Sequence, residues 1–214
     1  MSNKLVLAAL FAGATLTSVP AFSQEEGPAY KSEATVQALG SFLKTTTSGG
    51  ADQSSTNSGG VLASYRYFFT RHHGVEVNYG YNRNTQSYTF SDGSAGFGSN
   101  THEVSADYVL RFPHRRWTPF ALAGVGALVF DPRSSVASFT GSQAALAPNT
   151  ASAQTRAAFV YGAGADINLT NHVYLRAQYR GFVFNSPTYD VVTLNGLDRT
   201  THLAEPSIGF GYRF

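Results

Sequence analysis

The 214-residue chain contains no cysteine. That excludes a disulfide framework, a thiolate metal site and a thiol nucleophile. The absence suits export, where stray thiols would be oxidised. Charge is scarce as well. Asp, Glu, Lys and Arg make up 13% of the residues, against roughly a quarter in typical soluble domains. There is one tryptophan. Long apolar runs are also missing: beyond the first segment, no stretch reaches the ~20 apolar residues that a membrane helix needs. A chain of this kind can enter a bilayer only as a closed barrel, because helices and barrels alone satisfy their own backbone in lipid.

Aromatics and glycine are abundant, with 12 Tyr, 16 Phe and 21 Gly. Low charge joined to high Tyr, Phe and Gly is unusual for a cytosolic enzyme. The first segment reads as a secretory signal: Lys4 is the positive n-region, Leu5 to Leu16 the apolar core, and Ala21-Phe22-Ser23 a small-x-small cleavage site. We therefore expect a cleavable signal peptide at 1–23, a short periplasmic segment at 24–33 and a barrel over 34–214. No cysteine follows the signal, which excludes a lipoprotein.

The rest of the chain alternates at period two, the strand signature. Eight segments carry it. They are Ala34–Lys44, Gly60–Thr70, Gly74–Gln86, Thr101–Phe112, Pro119–Phe130, Thr155–Asn168, Val173–Phe184 and Thr200–Phe214. The fifth is apolar at both parities, so its inward face stays undecided. They are ~11–15 residues long, which suits the ~9–11 residues of a tilted spanning strand better than the ~5–6 of soluble domains. The links alternate in length. Thr45–Gly59, Ser87–Asn100, Asp131–Gln154 and Asn185–Arg199 are long; Arg71–His73, Pro113–Thr118 and Leu169–His172 are short. Long loops at one end and short turns at the other are the layout of outer-membrane barrels. A lipocalin-like soluble barrel with a binding mouth is the alternative.

Charge placement separates the two. Arg66, Glu76, Glu103, Asp107, Arg111, Asp166, Arg176, Arg180, Glu205 and Arg213 share the polar parity, five bases and five acids. A charge facing lipid at mid-depth costs a few kcal/mol, whereas inside a barrel the same groups can pair. Folding the hairpins about their short turns sets Asp166 opposite Arg176 and Arg66 near Glu76. Arg180 and Glu205 fall together on neighbouring strands. The apolar parity carries aromatics near strand ends, such as Phe69, Phe130 and Phe214, where interfacial girdles sit. Pro206 removes a ladder donor from the last strand, so a bulge is expected there.

The ending Ile208-Gly-Phe-Gly-Tyr-Arg-Phe214 resembles the C-terminal signature of outer-membrane barrels. In that signature Ile208, Phe210, Tyr212 and Phe214 form an assembly signal. The glycine-rich Pro119–Gly126, Tyr161–Asp166 and Tyr174–Arg180 resemble the second half of the small eight-stranded group. That group includes the opacity proteins, outer membrane protein X and the transmembrane domain of outer membrane protein A. The resemblance covers roughly residues 30–214. It implies an all-β fold: a closed antiparallel up-and-down eight-stranded transmembrane barrel. It further implies a monomer in the bacterial outer membrane, with outer-membrane lipids, the barrel assembly machinery and a surface ligand of the long loops as partners.

Catalytic chemistry is sparse. His72 and His73 lie in a short basic turn without converging metal ligands. His102-Glu103 and His202 with Glu205 sit near outer strand ends, and Thr200 and Thr201 adjoin His202. An acyl-transfer or deacylation site would need a nucleophile beside a base and its orienter, and no serine stands so placed. We expect no catalytic residue, no metal and no cofactor; a lipid A-modifying barrel enzyme is the alternative. Arg111, His114, Arg115 and Arg116 form a basic cluster. Such a cluster could suggest nucleic acid, but it better suits lipid headgroups at the periplasmic membrane surface, and no nucleic-acid partner is expected. Eight strands enclose a space just wide enough for side chains to fill. With arginine and tyrosine inside, a plugged interior is expected and a narrow pore is the lesser alternative. Function then falls to the extracellular loops, in adhesion or surface protection, or to the barrel as a structural envelope component.

Overall fold

A computed structural model describes residues 30–43, 46–48, 51–55, 58–90, 93–132, 138–141, 153–185 and 200–214. The expected signal peptide at 1–23 lies outside these. Eleven strands are present: β1 (Ser32–Leu43), β2 (Thr46–Ser48), β3 (Ala51–Ser55), β4 (Ser58–Phe68), β5 (His73–Phe90), β6 (Gly93–Arg111), β7 (Trp117–Pro132), β8 (Ser138–Gly141), β9 (Gln154–Asn168), β10 (Val173–Asn185) and β11 (Thr200–Arg213). Eight of them close an antiparallel wall in the order β1-β4-β5-β6-β7-β9-β10-β11, and β11 pairs back onto β1. The seam is completed by Ser32 and Phe214, whose backbones exchange bonds of 3.2 and 3.0 Å. Both ends of the wall therefore lie on the side of the short turns. Register followed once around from Glu33 passes Arg66, Glu76, Asp107, Gly124, Val160, Phe182 and Leu203, and returns at Leu43. That ten-residue stagger is the shear that tilts the strands of a small barrel.

Alternation decides the two faces. Along β1, Glu33, Thr35, Gln37, Leu39 and Ser41 are buried inside, and Val36 between them is 66% exposed. Around the wall Val61, Val77, Val104, Val125, Ile208 and Phe210 are likewise exposed. Apolar exposure on this scale needs a lipid or protein cover. Near the short turns the outer face carries Tyr65, Tyr67, Phe69, Tyr108, Phe112, Trp117, Tyr212 and Phe214; towards the other end come Phe42, Tyr79, Phe159 and Tyr161. Small aliphatic residues between two aromatic belts form the lipid-facing band of a membrane barrel.

Several expectations need correcting. β1 begins at Ser32, so Glu33 belongs to the wall interior and not to a preceding segment. Ser87–Asn100 is no irregular loop, because β5 and β6 stay paired up to Phe90 and Gly93. The β2–β3 hairpin pairs with Ala51–Ser55 against Gln86–Phe90, and β8 pairs with Gly93–Gly96. The expected loops at 45–59 and 131–154 thus contribute strands to a sheet that rises above the barrel. Pro206 causes no bulge: its register with β10 is unbroken, and pairing with β1 resumes in the same frame after a gap at Gly40 and Ser41. The missing donor removes bonds without inserting a residue. β7 points Phe120, Leu122, Leu128 and Phe130 inward. It looked two-sided because its inner face joins an internal apolar cluster with Val160, Phe182, Phe184 and Leu203. Finally, among the tyrosines with described side chains only Tyr174 is buried, so the interior is filled by arginines and this cluster.

Candidate functional site

The polar interior is built from one side chain in two along successive strands. All ten charged residues of the polar parity are buried, none more than 8% exposed. Nearest the short turns, Arg176 on β10 is held by three carboxylates. Its Nε and Nη2 donate to the two oxygens of Asp166 at 2.7 and 2.9 Å, in the bidentate geometry that the guanidinium fork favours. Its Nη1 donates to Glu76 at 3.1 Å and to Thr35 at 3.2 Å, and Nη2 to Glu33 at 3.2 Å. Arg66 donates to Glu76 at 2.5 Å and lies 3.8 Å from Asp166. The contact from Arg176 to Glu76 spans the lumen, so it braces strands that share no ladder.

Glu33 is the residue that sequence reasoning left out. Arg111 and Arg213 each donate to its Oε1 at 3.0 Å, and Arg176 and the Tyr174 hydroxyl donate to Oε2 at 3.2 and 3.3 Å. It gathers β1, β6, β10 and β11 at one point. Its parity with Thr35 and Gln37 was the available signal. With Glu33 included, the described interior holds five arginines and six carboxylates. Aromatic rings seat the cations: Arg111 lies 3.4 Å over Phe68, Arg66 4.2 Å over Phe120 and Arg213 4.3 Å over Tyr174.

Further from the short turns the charges separate into two smaller groups. Arg180 bridges Glu103 and Glu205 through its Nη2, the latter at 3.1 Å. Gly80 leaves the room for this, since a Cβ there would collide with the Glu103 carboxylate. Asp107 pairs with no arginine among the described residues. It accepts from Asn78 at 2.8 Å and Ser105 at 2.9 Å, and Ser64 donates to Asn78 at 2.6 Å. The apolar cluster runs along the inner wall from Phe68 and Phe120, beside the arginines, to the far end, where the Phe130 and Phe184 rings stack at 5.7 Å.

Residues adjacent in sequence end on opposite faces, which dissolves the catalytic candidates. Glu103 and Glu205 point into the barrel, while His102 and His202 meet tyrosines on the outer face. His102 bonds Tyr79 at 2.9 Å, His202 bonds Tyr161 at 2.6 Å, and His73 bonds Tyr108. Thr201 is buried and Thr200 exposed. Among the described residues no three His, Asp or Glu side chains converge as a metal site. The residues of the expected assembly signal all face outward: Ile208, Phe210, Tyr212 and Phe214 are 51–62% exposed.

The family of outer membrane protein beta-barrel domains matches over residues 9–214. The chain belongs to that family. It is a bacterial outer-membrane protein, with the fold to match. Solved structures of similar fold include OprG from Pseudomonas aeruginosa, 14% identical with a TM-score of 0.60 over 88% of this chain and 97% of that one. Neisserial surface protein A is 15% identical, with a TM-score of 0.54 over 86% and 97%. The attachment invasion locus protein Ail of Yersinia pestis is 19% identical, with a TM-score of 0.50 over 86% and 99%. At these identities the likeness extends to the fold. No curated protein sequence matches the chain.

Proposed function

We propose that this is a surface protein that acts through the sheet and loops above its barrel, over a wall that is plugged and non-catalytic. The observation that carries this is the filling of the lumen by a braced charge network and, beside and beyond it, a packed apolar cluster. Such an interior is occupied by side chains, and its arginines are engaged by carboxylates across and along the wall. The β5–β6 hairpin, flanked by β3 and β8, projects from the long-loop end, which faces the cell exterior in barrels of this kind. On this reading residues 1–23 direct export and are cleaved, and the residues from Ile208 to Phe214 are read by the assembly machinery. Adhesion or surface protection is the activity. The attachment role named for Ail of Yersinia pestis is of this type.

The test replaces Asn84–Ser99 with a two-residue turn, keeping the Arg83–Asn100 register, and expresses both forms in a host that lacks the protein. The truncated barrel should still show heat-modifiable migration but lose attachment to host-cell monolayers or survival in serum. Purified protein should give no steady conductance in planar bilayers. Unchanged surface phenotypes, or a stable open channel, would overturn the proposal.

A further inference from the structure

Among the described residues, the charged side chains exposed at the short-turn end of the barrel are of one sign. Its three short turns, 69–72, 112–116 and 169–172, carry Arg71, His72, His114, Arg115, Arg116 and His172, and no acidic side chain. Lys31 is exposed beside them at the foot of β1. Among the described residues the nearest side-chain carboxylates, Glu33 and Asp166, are inside the barrel and already engaged by arginines. Arg115 and Arg116 differ from those interior arginines: both are exposed and hold no side-chain partner among the described residues. Their turn is fixed in place by the Arg116 carbonyl, which accepts from the Asn168 amide at 2.9 Å.

Arg115 borders a concavity of about 510 Å³ together with Tyr30, Asn168, Thr170, Asn171 and Arg213. Cation and amide groups there converge from two turns and the ends of β9 and β11. Beside it, across the stack of Tyr30, His172 and Tyr212 with centroids 5.1 and 5.6 Å apart, an apolar groove of about 360 Å³ runs up the outer wall. Ala34, Val36, Val173, Phe210 and Tyr212 line it. Exposed cations at headgroup level, separated only by that ring stack from an apolar slot on the outer wall, offer complements to the two ends of one lipid molecule.

We infer that this rim is a binding site for an anionic glycerophospholipid of the periplasmic leaflet. Arg115 would hold the phosphodiester, Arg116 and His172 would flank it, and an acyl chain would lie against Val36, Val173 and Phe210. The site ties the barrel to one leaflet and sets its height there. Each arginine near an anionic lipid contributes about a fivefold preference, roughly 1 kcal/mol.

Trp117, the sole tryptophan, reports on this directly. It is 51% exposed on the outer face, one residue beyond the Arg115-Arg116 pair, and its ring stacks on His114 at 5.5 Å. Folded protein is reconstituted in phosphatidylcholine bilayers with small equal fractions of phosphatidylglycerol or phosphatidylcholine, each spin-labelled close to the glycerol. Labelled phosphatidylglycerol should quench Trp117 more strongly. Arg115→Gln should cut that preference about fivefold, and Val173→Phe, which fills the slot, should lower it as well. Arg71→Gln, on a different turn, should change little. Equal quenching by the two labels overturns the site, as does a preference that survives Arg115→Gln. An equal loss in Arg71→Gln and Arg115→Gln would mean a diffuse charged ring and would also overturn it.

Discussion

The Glu103–Arg180–Glu205 group permits a sharp test of the interior. Arg180 is the only arginine within ion-pair reach of either acid among the described residues, and all three side chains are about 1% exposed. Arg180→Met keeps most of the stem but strips two buried carboxylates of their partner. Breaking a buried pair from one side costs about 3–5 kcal/mol, mainly the penalty of the stranded charge. Arg176→Met should cost less than its larger number of bonds suggests. Glu76 keeps Arg66 at 2.5 Å, Glu33 keeps Arg111 and Arg213 at 3.0 Å, and Asp166 keeps Arg66 and Arg213 at 3.8 Å. The decisive variant is the triple, Arg180→Met with Glu103→Gln and Glu205→Gln. It removes one base and two acids from an interior of five arginines and six carboxylates, leaving four of each. Replacing a whole buried triad by apolar side chains is often close to neutral; here two neutral amides remain that can bond each other, so the triple should recover most of what the single variant loses. The assay is reversible urea unfolding in lipid vesicles, followed by gel mobility and Trp117 fluorescence. A single variant that costs less than about 1 kcal/mol, or a triple no more stable than the single, would show that these charges are satisfied by water and that the pairing argument fails.

Two further outcomes test the faces of the wall. Val125→Arg places a charge on the outer surface at a position 66% exposed. It should lower folding stability in bilayers by about 2–4 kcal/mol at mid-depth, a loss that a water-facing position would not show. Deleting Phe214, which closes the seam with Ser32 and exposes its ring beside Tyr212, should reduce the membrane-inserted fraction in cells; quantitative fractionation with full insertion would count against the assembly-signal reading.

What was legible in the chain follows from what lipid imposes. Where a strand crosses the bilayer, one side chain in two must be apolar, and that rule exposes the wall strands and their inward parity at Arg66, Glu76, Asp166 and Arg176. It also places the hairpin pairs, because a short turn converts sequence spacing into register. The rule stops where the bilayer stops. Above the wall, β5 and β6 continue as a hairpin through residues such as Thr89, Ser94 and Gly96, which need no apolar face and so read as loop. It also fails on β7, where Leu122 and Leu128 belong to the apolar plug and match the lipid face in chemistry.

Pairings across the lumen are hidden for a different reason. Arg176 to Glu76 and Arg66 to Asp166 join strands that are not ladder neighbours. Which side chains meet there depends on the ten-residue stagger of the closed wall, and each hairpin's spacing is compatible with several staggers. Glu33 shows the consequence. Taken along β1 it is one acid before a run of alternating small residues, easily left outside the barrel. Closure brings Arg111, Arg176 and Arg213 to its two oxygens from three different strands. The residue that most depends on closure is therefore the least visible in the linear chain. Glu33 bonds strands from both sides of the β1–β11 seam, so the network holds the last joint of the barrel shut as well as filling it.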